Sequence, residues 1–296
     1  MNAPPSTTAL AMALRPVADQ FTLFTTTKVH STLFPFPWAS TLHAARISLV
    51  YQANMKKAGQ EKAIGWKAYL AGYLIMSWGG MLISHFLLNL PPPPIYSFMP
   101  YMNYLGVHFL LTFVTTLFPQ ILSPTNLPTY DVILFPLDAV LRVNSITSTI
   151  DLLSSNPNVN PLLKTSPLFH LIIGAVASAG GGVSAGTLST WTSQWAFSTP
   201  VFLRPAAGLL ATLDVWAGSI IALVYDLATS HPAFDGFLPS FTLIPVLSPL
   251  GARALCTIVL SAMFGFRALS AIKTPASPVQ VQGKDKNAGK AKPKSQ

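Results

Sequence analysis

The chain has 296 residues, 51% of them hydrophobic and only 9% charged, with a formal net charge of +9. A soluble globular chain carries about 25% charged residues, so a surface facing water over most of its area is excluded and a polytopic membrane protein is expected. The single cysteine, Cys256, excludes a disulfide framework within the chain.

The first 30 residues contain Pro4, Pro5, Arg15 and Asp19. They lack a clean apolar core with a cleavage site, so no cleaved signal peptide is expected. Seven apolar segments follow, each near the roughly 20 residues that cross a hydrocarbon core. They lie at about 33–54, 64–89, 101–121, 128–150, 167–192, 206–227 and 249–271. The second is closed by "PPPP" at 91–94, and the first and fourth are interrupted by prolines and polar residues. From Lys273 onward the chain carries six lysines against one acid, Asp285, without periodicity. Residues 273–296 therefore read as a disordered basic tail.

The basic residues orient the segments. Lys56, Lys57, Lys62 and Lys67 flank the first connection against Glu61 alone. Arg204 precedes the sixth segment, and the lysine tail follows the seventh. An odd number of spans puts all of these on one side, and the positive-inside tendency makes that side cytosolic. The amino-terminal segment, 1–30, is then lumenal or external.

An internal repeat is visible. "LFP" recurs at 33–35 and 134–136, and "GG" at 79–80 and 181–182, with offsets of 101 and 102 residues. Two three-helix blocks, about 31–122 and 127–228, would lie inverted in the membrane, with the segment at 249–271 outside them. Inverted repeats with interrupted helices are a transporter architecture. The fold class expected is all-α, with seven transmembrane helices. Gly79 and Gly80, and Gly180, Gly181 and Gly182, stand at matching depths of the second and fifth segments. Two readings stay open for them: close helix packing, or a local break that exposes backbone to a water-filled cavity.

Ionisable residues inside spans are costly and point to function. Arg46, Asp138, Arg142 and Asp214 qualify. Asp138 and Arg142 are four apart and share a helix face. They suit either a cation path or a structural pair, with Arg142 answering the Asp138 charge or a lipid phosphate. Asp214 has no cation within one turn, so a pore or interhelical role is expected for it, as for Asp138. Histidines 43, 85, 108 and 170 are scattered over four segments, and their spacing gives no converging metal donors. No Walker loop, paired zinc motif or G-x-S-x-G elbow is present, so no enzyme, metal site or cofactor is expected. The lysine tail, tethered to a membrane helix, suits anionic lipid rather than nucleic acid.

Three stretches resemble the trimeric intracellular cation channel family. "LFPFPWASTLHAARISLVYQANMKK" is similar to its proline-interrupted first helix, and "SWGGMLISHFLLNLPPPPIYSF" to its second helix and following loop. "GAVASAGGGVSAGTLSTWTSQWAFSTP" resembles its fifth helix with a glycine cluster. The resemblance spans roughly residues 20–295. It implies a homotrimeric potassium channel of the endoplasmic reticulum or a related membrane, passing monovalent counter-ions during calcium release. Residues 31–272 would be the channel domain, and the tail would be cytosolic. The family's Lys-Glu-Val motif aligns with Leu137, Asp138 and Ala139, so the acid is kept in type and the lysine is absent. The basic residue before the family's fifth-helix glycines falls on Ala179. A bound anionic phosphoinositide would thus lose its lysine, leaving Arg142 as the nearby cation. A secondary transporter on inverted repeats and a non-conducting membrane scaffold are the rival functions.

Overall fold

Proline and glycine punctuate this chain into helices. In the computed structural model, residues 5–205, 207–235 and 245–273 are described. The main helices are α1 (Pro5–Thr26), α2 (Trp38–Lys57), α3 (Trp66–Leu87), α4 (Met99–Leu117) and α5 (Leu127–Ser155). They continue with the single turn α6 (Pro161–Lys164), then α7 (Pro167–Leu188), α8 (Leu213–Ala228) and α9 (Pro249–Lys273). No strand occurs among the described residues beyond an isolated bridge between Lys28 and Pro37.

The boundaries have local causes. Proline opens α4, α5, α6 and α7 in the first two positions, where its missing N–H costs nothing and its fixed φ suits the helix. At α7 the Ser166 side chain adds a cap, accepting a hydrogen bond from the Phe169 N–H at 3.2 Å. Its carboxyl end is closed by Ser189 in the left-handed region, at φ 53°. α3 ends before Asn89, at φ 55°, and the four prolines that follow cannot continue it. Pro136 lies inside α5.

Five helical stretches are long and apolar enough to cross a membrane: Trp66–Leu87, Leu127–Ser155, Pro167–Leu188, Leu209–Ala228 and Pro249–Ile272. The last-but-one includes a short 3₁₀ turn, Leu209–Thr212, that leads into α8. α2 and α4 occupy two more of the seven expected segments and fall outside these five. Their polar residues face each other. Ser48 Oγ lies 2.8 Å from His108 Nδ1, the Gln52 amide donates to Ser48 Oγ at 3.0 Å, and the Thr115 hydroxyl donates to Gln52 Oε1 at 2.6 Å. The Asn103 amide donates to Ser40 Oγ at 3.0 Å. Pairing these groups between helices removes the cost of burying them.

The sequence gives no reason to expect an element before residue 33, yet α1 forms there. Leu14, Ala18 and Phe21 are buried in the main apolar cluster, and α1 packs on α9. That cluster also takes in α5, α7, α8 and α9 through residues such as Ile146, Ile173, Ile221 and Leu260. A smaller cluster of Tyr51, Tyr73, Met76 and Ala185 joins α2 and α3 to α7.

α3 crosses α7 in close backbone contact. A Cβ on Gly180 would lie 2.6 Å from the Gly80 Cα, and one on Gly80 would lie 2.8 Å from the Val176 carbonyl oxygen. A Cβ on Gly79 would lie 3.0 Å from the Gly181 Cα. Both helices run without interruption through these glycines, so of the two open readings the close packing is seen here, with no break in either helix. The reason is steric: hydrogen atoms in place of side chains let the two backbones touch while each keeps its own hydrogen bonds. A second crossing of this kind, unforeseen from the sequence, joins α7 to α8, where a Cβ on Gly218 would lie 2.4 Å from the Gly174 carbonyl oxygen.

A candidate charged cavity between the helices

Around the α3–α7 crossing lies a cavity of about 1420 Å³. Gly80, Gly181 and Gly182 border it, together with Arg46, Asp131, Asp138, Arg142, Asp214 and Arg267. Gly79 and Gly180 are buried in the helix contact itself.

The charges are paired across helices. Arg46 of α2 holds two carboxylates of α5. Its Nε donates to both oxygens of Asp138, at 3.0 and 3.1 Å, and its Nη2 donates to Asp131. Arg142 of α5 reaches Asp214 of α8 at 2.9 Å and also donates to the Ser178 carbonyl oxygen. Arg267 of α9 donates to the other Asp214 oxygen at 2.9 Å. The guanidinium carbons of Arg142 and Arg267 lie 5.2 and 4.7 Å from the Phe264 ring centroid, a cation–π arrangement that adds to the pairing. Ser178 ties the group to the backbone, its hydroxyl donating to the Asp214 carbonyl oxygen at 2.7 Å.

The pairing differs from what spacing suggests. Asp138 and Arg142 share a face of α5 but bond to different partners, because the guanidinium of α2 reaches Asp138 and the carboxylate of α8 reaches Arg142. Asp214 has no cation on its own helix and two from neighbouring helices. Asp131, Ser178 and Arg267 belong to this group and were not singled out from the sequence. A signal existed for Arg267 and Asp131, since each is an ionisable residue within an apolar run. Which carboxylate each guanidinium meets is decided by helix packing.

A second polar group sits at the other end of α7. His170 and Asp226 are fully buried, and His170 Nδ1 lies 2.7 Å from Asp226 Oδ2. His231, in the turn after α8, joins them, so that one donor atom from each of the three lies within 4.8 Å of the others. Asp226 and His231 are five residues apart, while His170 is 56 residues before Asp226 and is brought to them by the packing of α7 on α8.

The described residues are thus all-helical, with five helices long and apolar enough to cross a membrane, consistent with an integral membrane protein, and with paired charges lining a half-open cavity between them. Compared with protein-family models, with curated proteins and with solved structures, the chain matches none.

Proposed function

We propose that this chain is a cation channel of the trimeric intracellular cation channel type. In this reading it crosses the membrane seven times, through α2–α3–α4 and an inverted α5–α7–α8, with α9 as the seventh span. It assembles as a homotrimer in the endoplasmic reticulum or a related intracellular membrane and passes potassium as a counter-ion to calcium release. The observation that carries the reading is the placement of Asp138 and Asp214 on one half-open cavity beside Gly181 and Gly182. Carboxylates on an aqueous path lower the energy of a passing cation. The contact of α3 with α7 at equivalent glycines is what a repeat axis through that crossing would produce.

Phosphoinositide gating forms no part of the proposal. Arg142, the cation nearest the family's lipid-binding position, is already engaged by Asp214 and Ser178. Planar-bilayer recording of the purified protein tests the channel. Potassium-selective currents that fall in Asp138→Asn or Asp214→Asn support it, and a silent bilayer with intact trimers overturns it in favour of a scaffold. One observation favours a secondary transporter as the second reading: each cavity carboxylate is held by an arginine, so the path is charge-balanced rather than an acidic ring. Saturable, coupled flux in proteoliposomes without unitary currents would establish that reading instead.

A further inference from the structure

The His170–Asp226–His231 group has a protonation pattern that calls for a cation. His170 Nε2 faces the Lys164 carbonyl oxygen at 3.0 Å. A carbonyl can only accept, so Nε2 carries a hydrogen. Nδ1 of a neutral His170 is then a lone pair, and it faces a carboxylate oxygen at 2.7 Å. Two acceptors at that distance must share a positive species, either a proton or a metal ion.

Asp226 offers more. Its residue is fully buried, and its second oxygen, Oδ1, has no hydrogen-bond partner among the described residues. A buried charged oxygen without a partner is expensive, and a cation seated beside it removes the cost.

His231 is prepared in the same way. Its Nδ1 accepts from the Ala233 N–H at 3.1 Å, so in the neutral ring Nε2 carries the hydrogen. Nε2 lies 2.9 Å from Ser154 Oγ, and that hydroxyl donates onward to the Ile150 carbonyl oxygen at 2.9 Å. The hydroxyl oxygen is therefore free to accept from Nε2–H. Both histidines thus hold their Nε2–H on an oxygen, as metal-ligating histidines do when an outer partner fixes the tautomer; His170 Nδ1 faces Asp226, whereas His231 Nδ1 must exchange the Ala233 N–H for a metal.

We propose that His170, Asp226 and His231 form a binding site for a borderline divalent cation, zinc being the best match. Two imidazoles and one carboxylate with a fourth position for water is a zinc donor set; calcium and magnesium require more oxygens than the site supplies. The donor atoms of a tetrahedral zinc site stand about 3.3 Å apart. On binding, the 2.7 Å His170–Asp226 contact opens and the wider separations, up to 4.8 Å, close. The proton between His170 Nδ1 and Asp226 Oδ2 leaves to solvent as the metal takes its place. A small turn of the His231 ring exchanges the Ala233 hydrogen bond for the metal. The bound ion would clamp the start of α7, the end of α8 and the following turn.

The test uses the full chain purified in detergent, stripped with a chelator and dialysed against zinc chloride. Elemental analysis should find about one zinc per chain. Cobalt in its place should give the visible absorption of a tetrahedral centre. His231→Ala, at the partly exposed ligand, should abolish both signals, while His85→Gln on α3 leaves them intact. Ser154→Ala removes only the hydroxyl that holds His231 Nε2–H and should weaken zinc binding about 10- to 100-fold. Folding of each variant is checked by size-exclusion profile. Absence of zinc uptake by the native chain, uptake unchanged in folded His231→Ala, or binding of calcium in preference to zinc would each overturn the assignment.

Discussion

A Cβ on Gly181 would lie 2.1 Å from the Met76 carbonyl oxygen, whereas one on Gly182, a single residue later, would meet nothing within 4 Å. The two adjacent glycines therefore do different things. Gly181 sets the distance between α3 and α7, and Gly182 faces the cavity. Gly181→Ala should force the helices apart and destabilise the protein by about 1–3 kcal/mol. Gly182→Ala should be neutral or stabilising by up to about 1 kcal/mol, through the higher helix propensity of alanine. Thermal unfolding of both variants in detergent checks this. Equal stability of the two would mean that the crossing is not limited by backbone contact.

Asp214 answers two arginines, so its neutralisation leaves both without a carboxylate. Asp214→Asn should cost about 1–3 kcal/mol, less than the roughly 3–5 kcal/mol of a fully buried pair, because the cavity partly solvates these side chains. The double variant Asp214→Asn/Arg267→Gln should recover part of the loss. Asp138→Asn should cost less than Asp214→Asn, since Arg46 keeps Asp131. Unfolding midpoints of the four proteins decide the order.

Gln52 links α2 to α4, accepting from Thr115 at 2.6 Å and donating to Ser48 at 3.0 Å. Interhelical hydrogen bonds in membranes contribute about 0.6 kcal/mol on average and up to about 1.7. The single Thr115 hydroxyl hydrogen can turn instead to the Leu111 carbonyl oxygen, 2.9 Å away, so it is not orphaned when Gln52 is lost. Gln52→Leu should therefore destabilise by no more than about 1–2 kcal/mol. A larger loss would show that the polar row acts cooperatively.

Apolar run length and proline placement made most helices legible in advance, because those signals are local. The helix α1 was not legible. Arg15 and Asp19 dilute its apolar character, and its reason for forming is the groove on α9 that buries Leu14, Ala18 and Phe21. The charged residues of the cavity were visible as anomalies in apolar segments, but their pairing was not. Arg46 and Asp138 are brought together from helices far apart in sequence, and nothing in the spacing of either helix specifies that register. Asp226 and His231 are near neighbours in sequence, but that His170 meets them depends on how α7 packs on α8.

The connection between α2 and α3 lies beside that between α7 and α8, where Gln60 Oε1 accepts from the Ser193 N–H at 3.2 Å. If the positive-inside tendency sets the orientation, a cysteine at Gln60 and one at Asn287 in the basic tail should be labelled from the cytosolic side alone. The native Cys256 is buried and should contribute little background. Labelling of the two positions from opposite sides would refute the seven-span topology.

Arg46 grips α5 at Asp131 and at Asp138, and Pro136 lies between those two points. A proline inside a helix deprives the carbonyl four residues earlier, here that of Val132, of its donor and makes the helix prone to bend at that place. Bending there changes the separation of the two carboxylates, and one rigid planar guanidinium cannot follow both. While both bonds hold, Arg46 is a latch across the weak point, and the first third of α5 travels with α2. Releasing Asp131, the more exposed of the two, frees the elbow without disturbing the Asp138 anchor.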